Sequence, residues 1–115
     1  MGYAIDIEEK DLVLFLRPTD GELGPEQAEE LRQVVKARAG TGIKGVVVNF
    51  SLVDYMSSIY LSALVEVLKD LRKRSIRFAV AELSQKNIEI IAATHLDRVL
   101  PIFDSSYEAY AAFTQ

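Results

Sequence analysis

Residues 46–71 read VVVNFSLVDYMSSIYLSALVEVLKDL. The first five, VVVNF, form a short apolar run of the kind found in a strand buried on both faces. A polar turn follows, and then a long segment with Leu61, Leu64, Val65, Leu68 and Leu71 spaced by three and four. That spacing puts them on one side of a helix. Ser57 and Ser58 stand where this helix begins. The first turn of a helix has unpaired N–H groups and carries partial positive charge. A serine there can cap the helix, face a bound anion or carry a covalent phosphate. Capping assigns Ser57 to the helix end and leaves the Ser58 hydroxyl free in the first turn. A phosphate on Ser58 adds about two negative charges beside the helix's positive end, and crowds Asp54 and any partner shaped for the neutral hydroxyl.

Alternating strands and helices extend in both directions. Tyr3, Ile5 and Ile7 alternate with polar residues, as do Leu12, Leu14 and Leu16 after the charged turn Glu9-Lys10-Asp11. The pair predicts an N-terminal hairpin. Residues 18–25, PTDGELGP, are loop chemistry. Pro25 suits a first helical position, and Ala28, Leu31, Val34 and Val35 make the stripe of a helix that Gly40 and Gly42 end. Beyond the serines, the cluster Arg72-Lys73-Arg74 suits a helix C-terminus. Residues 76–83 read as a strand. Ser84 caps a helix to about Thr94 with Ile88, Ile91 and Ala92 inward. Residues 99–103 read as a short strand, and Asp104 or Ser105 caps a last helix through Tyr107, Ala111 and Phe113. The order β-β-α-β-α-β-α-β-α predicts a single α/β domain over residues 1–115. Its small mixed sheet has an antiparallel hairpin followed by parallel βα units, and about four helices pack on it. Ser57 and Ser58 follow a strand's carboxyl end, where open α/β sheets meet ligands and partners.

Composition narrows the function. The chain has 115 residues, half of them hydrophobic, and a formal net charge of -4, which gives no footprint for nucleic acid. It has no cysteine, so no disulfide framework and no thiolate metal site, in keeping with a reducing cytoplasm. The start, MGYAIDIEEK, has no leader pattern, and Asp6 replaces the Ser or Thr of a myristoylation signal. No apolar run is long enough to span a bilayer. Phosphate-loop and dinucleotide spacings are missing, as is the ligand spacing of a metal site; no cofactor is expected. Tyr-Met-Ser-Ser-Ile lacks the flanking glycines of a nucleophile elbow. The single histidine, His95, suits a helix end better than the base of a Ser58 hydrolase. An enzyme is not expected.

The segment and its surroundings resemble the STAS domain, the family of anti-sigma-factor antagonists and of the cytoplasmic tails of sulfate transporters. Antagonists of this family carry (F/Y)-(M/I)-D-S-(S/A)-G-L at the start of the second helix. Here the stretch is Tyr55-Met56-Ser57-Ser58-Ile59-Tyr60-Leu61. The resemblance extends through Gly21-Glu22-Leu23 and the ending THLDRVLPIFDSSYEAYAAF. It places the family's phosphorylated serine at Ser58, and it implies a partner-binding face formed by Gly24, Asp54, Ser57, Ser58, Ile59 and an exposed Tyr60. Ser57 stands where the family has Asp, Tyr60 where it has Gly, and Gly24 where antagonists often have Asp. The resemblance implies a regulatory module that binds an anti-sigma factor or switch serine kinase, is released by phosphorylation of Ser58 and is restored by a phosphatase. The changes at Ser57 and Tyr60 favour an alternative, an unphosphorylated scaffold or accessory subunit of a transporter complex. A homodimer is left open.

Overall fold

The computed structural model describes residues 3–115. Met1 and Gly2, read above against leader and lipid-attachment signals, lie outside the described residues. Strands β1 (Ile5–Lys10) and β2 (Val13–Pro18) form the expected antiparallel hairpin. Its turn falls at Asp11 and Leu12, not at residues 9–11, and both take left-handed φ values of 52° and 66°. Positive φ at both central positions is the type I′ pattern, one of the two that match the twist of the strands a two-residue connection joins. Leu12 is therefore lifted out at the tip and is 45% exposed, although alternation placed it inward with Leu14 and Leu16.

The loop after β2 contains a two-residue strand, β3 (Glu22–Leu23), and leads into helix α1 (Pro25–Arg38). Gly42 (φ 97°) turns the chain after α1 in a conformation that a side chain would oppose. Then come β4 (Gly45–Asn49), the two-residue β5 (Tyr55–Met56) and helix α2 (Ser58–Lys73). They are followed by β6 (Arg77–Ala81), α3 (Gln85–Ala93), a 3₁₀ turn (Leu96–Arg98), β7 (Ile102–Phe103) and α4 (Ser106–Thr114). The sheet order is β1-β2-β4-β6-β7, with every pair after the hairpin parallel. This is the mixed sheet the sequence implies.

Why 46–48 is an unbroken valine run is visible in the two faces of the sheet. Val46 and Val48 join Leu14, Leu16, Phe78 and Val80 in a core shared with α1, α2 and Ile91 of α3. Val47 points the other way, with Val13, Ala79 and Ala81, onto Ala109 and Phe113 of α4. A strand buried on both sides has no polar position to alternate with.

Several inward assignments change. In α2, Val65 is half-buried, while Tyr60, Ala63 and Val67 join Leu61, Leu64, Leu68 and Leu71 inside. That helix lies between α1 and the sheet, so its buried face is wider than a leucine stripe. In α3, Ile88 and Ala92 are exposed and Asn87 is buried. Val99 and Tyr107 are also exposed, and the last strand shrinks to two residues.

Candidate functional site

Two loops build the end of the molecule where the parallel strands terminate. Leu23 and Met56 turn inward from β3 and β5, which pair in parallel and tie the 18–25 loop to the 50–57 loop. The Asp54 and Tyr55 amides donate to the Gly21 carbonyl at 2.8 and 3.1 Å, and the Ser57 amide donates to the Leu23 carbonyl at 2.8 Å. Room between the loops is tight: a Cβ on Gly21 would lie 3.2 Å from Asp54 Oδ2. Gly24 caps α1 from extended backbone, and its amide donates to Gln27 Oε1 at 2.9 Å. Gln27 Nε2 in turn donates to Asp20 Oδ2 at 3.0 Å. From behind, buried Asn87 reaches the Val53 carbonyl with its Nδ2. The loop that presents the serines is thus held by backbone and side-chain hydrogen bonds on both sides.

The two serines divide as their positions in the helix dictate. Ser57 is the N-cap of α2, its Oγ accepting from the Tyr60 amide at 3.3 Å. Ser58 is the first helical residue and is exposed, and among the described residues its hydroxyl has no hydrogen-bond partner. Ile59 beside it is 49% exposed. Replacing the Ser57 cap by Ala is expected to lower stability by ~1 kcal/mol, whereas Ser58→Ala should stay within about 0.5 kcal/mol of the parent. Urea titration of both variants checks this; equal losses would mean that the hydroxyls share the capping role.

Tyr60 corrects the expectation of an exposed contact. It is 1% exposed, its ring packed edge-on to Phe50 at 6.2 Å between centroids. About half a turn of helix separates outward positions 58 and 59 from the inward 60 and 61, and a residue at 60 belongs to the face shared with α1. Tyr60 is thus inside the fold, while Asp54, Ser58 and Ile59 are exposed, with Ser57 and Gly24 half-buried near them. The Tyr60 hydroxyl finds no protein partner among the described residues. Burial, and after it the Glu30 carboxylate, pushes the phenol far above its ordinary value of 10.0. The fold holds the phenol neutral while the unfolded chain ionises it, so stability is whole below pH 10.0 and falls as pH rises above it. Tyr60→Phe removes an unpartnered polar atom and should leave stability unchanged or raise it by about 1 kcal/mol, while flattening part of the alkaline decline. A loss above 1 kcal/mol in thermal unfolding would mean that the hydroxyl is satisfied.

Residues that the sequence reading passed over also form this surface. Leu52 and Tyr55 expose large apolar side chains on the same loop, and Lys86 of α3 places its ammonium 5.3 Å from the Tyr55 ring centroid. Their signal was an apolar residue in an otherwise polar turn, which period-based reading does not weigh. Alongside, an open groove of about 410 Å³ runs between α2 and the end of α3. Ser58, Ser62 and Thr94 lie on its walls with Leu61, Val65 and Leu96. His95, left-handed at φ 61° in the turn after α3, is exposed and has no side-chain hydrogen bond among the described residues. No base-and-orienter arrangement accompanies Ser58 there. Nor do the described residues hold a cluster of potential metal ligands.

The comparisons agree with this architecture. The STAS domain model matches residues 4–109. A candidate anti-sigma factor antagonist from Thermotoga maritima, TM1081, superposes with a TM-score of 0.87 at 25% identity, covering 96% of this chain and 95% of that one. An anti-sigma factor antagonist from Mycobacterium paratuberculosis gives 0.83 at 23% identity, over 96% and 93% of the two chains. The phosphorylated form of the Bacillus cell fate determinant SpoIIAA gives 0.71 at 17% identity, over 95% and 98%. A match that spans the chain from β1 into α4 makes it a member of the STAS domain family.

Proposed function

We propose that this chain is a regulatory protein-binding module of the anti-sigma-factor-antagonist type, with no enzymatic activity of its own. Its partner is an anti-sigma factor or switch serine kinase, and Ser58 is the hydroxyl that the kinase phosphorylates and a phosphatase restores. The carrying observation is the division of the serines: Ser57 is engaged as the cap, and Ser58 is exposed and unbonded one residue on. The setting suits a switch. The positive end of α2 accommodates a phosphate without unwinding the helix. Ile59, Leu52 and Tyr55 offer apolar area for a partner, and the added charge disfavours their desolvation. Support also comes from SpoIIAA, a relative of the same fold that exists in unphosphorylated and phosphorylated forms. Ser57 departs from the family's Asp, yet it supplies the same capping acceptor to the Tyr60 amide.

Affinity capture from native lysate with the parent chain and Ser58→Asp side by side tests the reading. The parent should retain a serine kinase or anti-sigma factor that the variant does not. Capture of the same partner by both would sink the switch, and capture of a transporter by both would move the assignment to the scaffold alternative.

A further inference from the structure

The fold sorts charge toward its two ends. Asp20, Glu22, Asp54, Glu82 and Asp104 lie where the parallel strands finish, the Ser58 end, and outnumber the cations Arg17 and Lys86 there. Where those strands begin, Lys36 and Arg38 close α1, Arg72 and Lys73 close α2, and Lys44 precedes β4. All five cations are exposed. Backbone hydrogen bonds hold these segments together: the Lys44 amide donates to the Leu12 carbonyl at 2.8 Å, and the Arg77 amide to the Lys44 carbonyl at 3.0 Å. Arg74 Nη1 donates to the Ala39 carbonyl at 2.6 Å, joining the α1 and α2 ends. Of the acidic groups nearby, Asp70 is paired with Arg74 at 2.8 Å, and Asp11 accepts from the Tyr110 hydroxyl. A chain of net charge -4 therefore carries a basic end.

Cations at helix C-termini are favourable in themselves, which accounts for Lys36, Arg38, Arg72 and Lys73. It does not account for Lys44, which lies in no helix, nor for Leu12. Leu12 sits at the hairpin tip of this same end, 45% exposed and held at φ 66°, where turns of this kind favour Asn or Gly. A leucine here is unfavourable twice over, in its backbone and in its exposure. An apolar tip that follows Asp11, is bonded to Lys44 and lies at the same end as the cationic termini of α1 and α2 has the pattern of a surface that meets anionic headgroups and inserts one side chain among them.

We propose that this basic end docks peripherally on an anionic lipid bilayer, with Leu12 entering the headgroup layer and Lys44 and its neighbours meeting lipid phosphates. A nucleic acid would engage the cations but would have to unstack bases to receive the leucine, whereas a headgroup layer takes it without that cost, so the tip favours the bilayer. The 15 residue steps of α2 from Ser58 to Lys73 separate the two by about 22 Å. Docking by one end leaves the Ser58 face turned to solution. The inference stands independently of Ser58 phosphorylation.

Cosedimentation of the full chain with phosphatidylcholine vesicles, with and without phosphatidylglycerol, tests it. Binding is expected only when phosphatidylglycerol is present, and should weaken as salt rises. Lys44→Glu combined with Arg72→Glu should lower the partition coefficient at least tenfold. Leu12→Asn should lower it several-fold while raising the thermal midpoint, because Asn tolerates left-handed backbone; that rise separates lost docking from lost folding. Equal binding to both vesicle types, no binding to either, or parent-like binding by Leu12→Asn would overturn the proposal. So would retention of duplex DNA in place of vesicles, which would make the end a general polyanion surface.

Discussion

Gly45→Ala is expected to lower folding stability by about 2–3 kcal/mol, a large loss for a single methyl group. Gly45 begins β4, the middle strand of the five-stranded sheet, on the face that α4 covers. A Cβ there would lie 2.4 Å from Phe113 Cδ2 and 2.9 Å from Cε2. The ring has little freedom to withdraw. It is packed edge-on to Phe103 with centroids 6.3 Å apart, and the Arg77 guanidinium lies 4.6 Å from its centroid on another side. Arg77 also donates to the Ala112 carbonyl at 2.8 Å, fixing the end of α4. Relief therefore requires α4 to lift from Val47, Ala79 and Ala81. Phe113→Ala removes the obstacle at its own cost, so the double variant should be more stable than the sum of the single losses by 1 kcal/mol or more. Urea titration of the four proteins measures this. A Gly45→Ala loss below about 0.5 kcal/mol would mean that α4 yields freely.

Ser58→Asp is expected to weaken partner binding by about a hundredfold, close to 2.7 kcal/mol, with no change in the unfolding midpoint beyond about 0.5 kcal/mol. The fold tolerates the charge because position 58 is exposed in the first turn of a helix, where a carboxylate meets unpaired N–H groups. The proposed interface does not, because the carboxylate stands beside exposed Ile59, on the same loop-to-helix segment as exposed Asp54. Burying it there leaves a charge desolvated and unpaired. Ser58→Ala should bind like the parent, since the unphosphorylated hydroxyl makes no bond whose loss would be felt. Equilibrium titration with the captured partner checks both variants. Weakened binding by Ser58→Ala as well would make Ser58 a contact in its own right.

Much of this was legible in residues 46–71 alone. Apolar spacing marks α2, the buried run marks β4, and the chemistry of helix starts separates Ser57 from Ser58 before any coordinates. The cap at Ser84 was equally readable, and of the two candidates Asp104 and Ser105 for the last helix it is Ser105 that caps, each serine Oγ accepting an amide three residues on. What escaped depends on contacts distant in sequence. β3 and β5 exist only because two loops pair, and two residues carry no periodic signal. Tyr60 reads as a surface residue until α1 is seen covering that side of α2. Leu12 obeys alternation in the sequence and is turned outward by the twist the hairpin demands. The basic end is likewise assembled from Lys36, Lys44 and Arg72, which no local window brings together.

The assignment rests most heavily on Ser58. Incubating the chain with its captured kinase and ATP, followed by mass mapping of the peptides, tests it directly. One phosphate is predicted, on Ser58; it should persist in Ser57→Ala, vanish in Ser58→Ala, and accompany release of the partner. A chain that takes no phosphate on any serine, and whose Ser58→Asp variant binds that partner as tightly as the parent, would contradict the account.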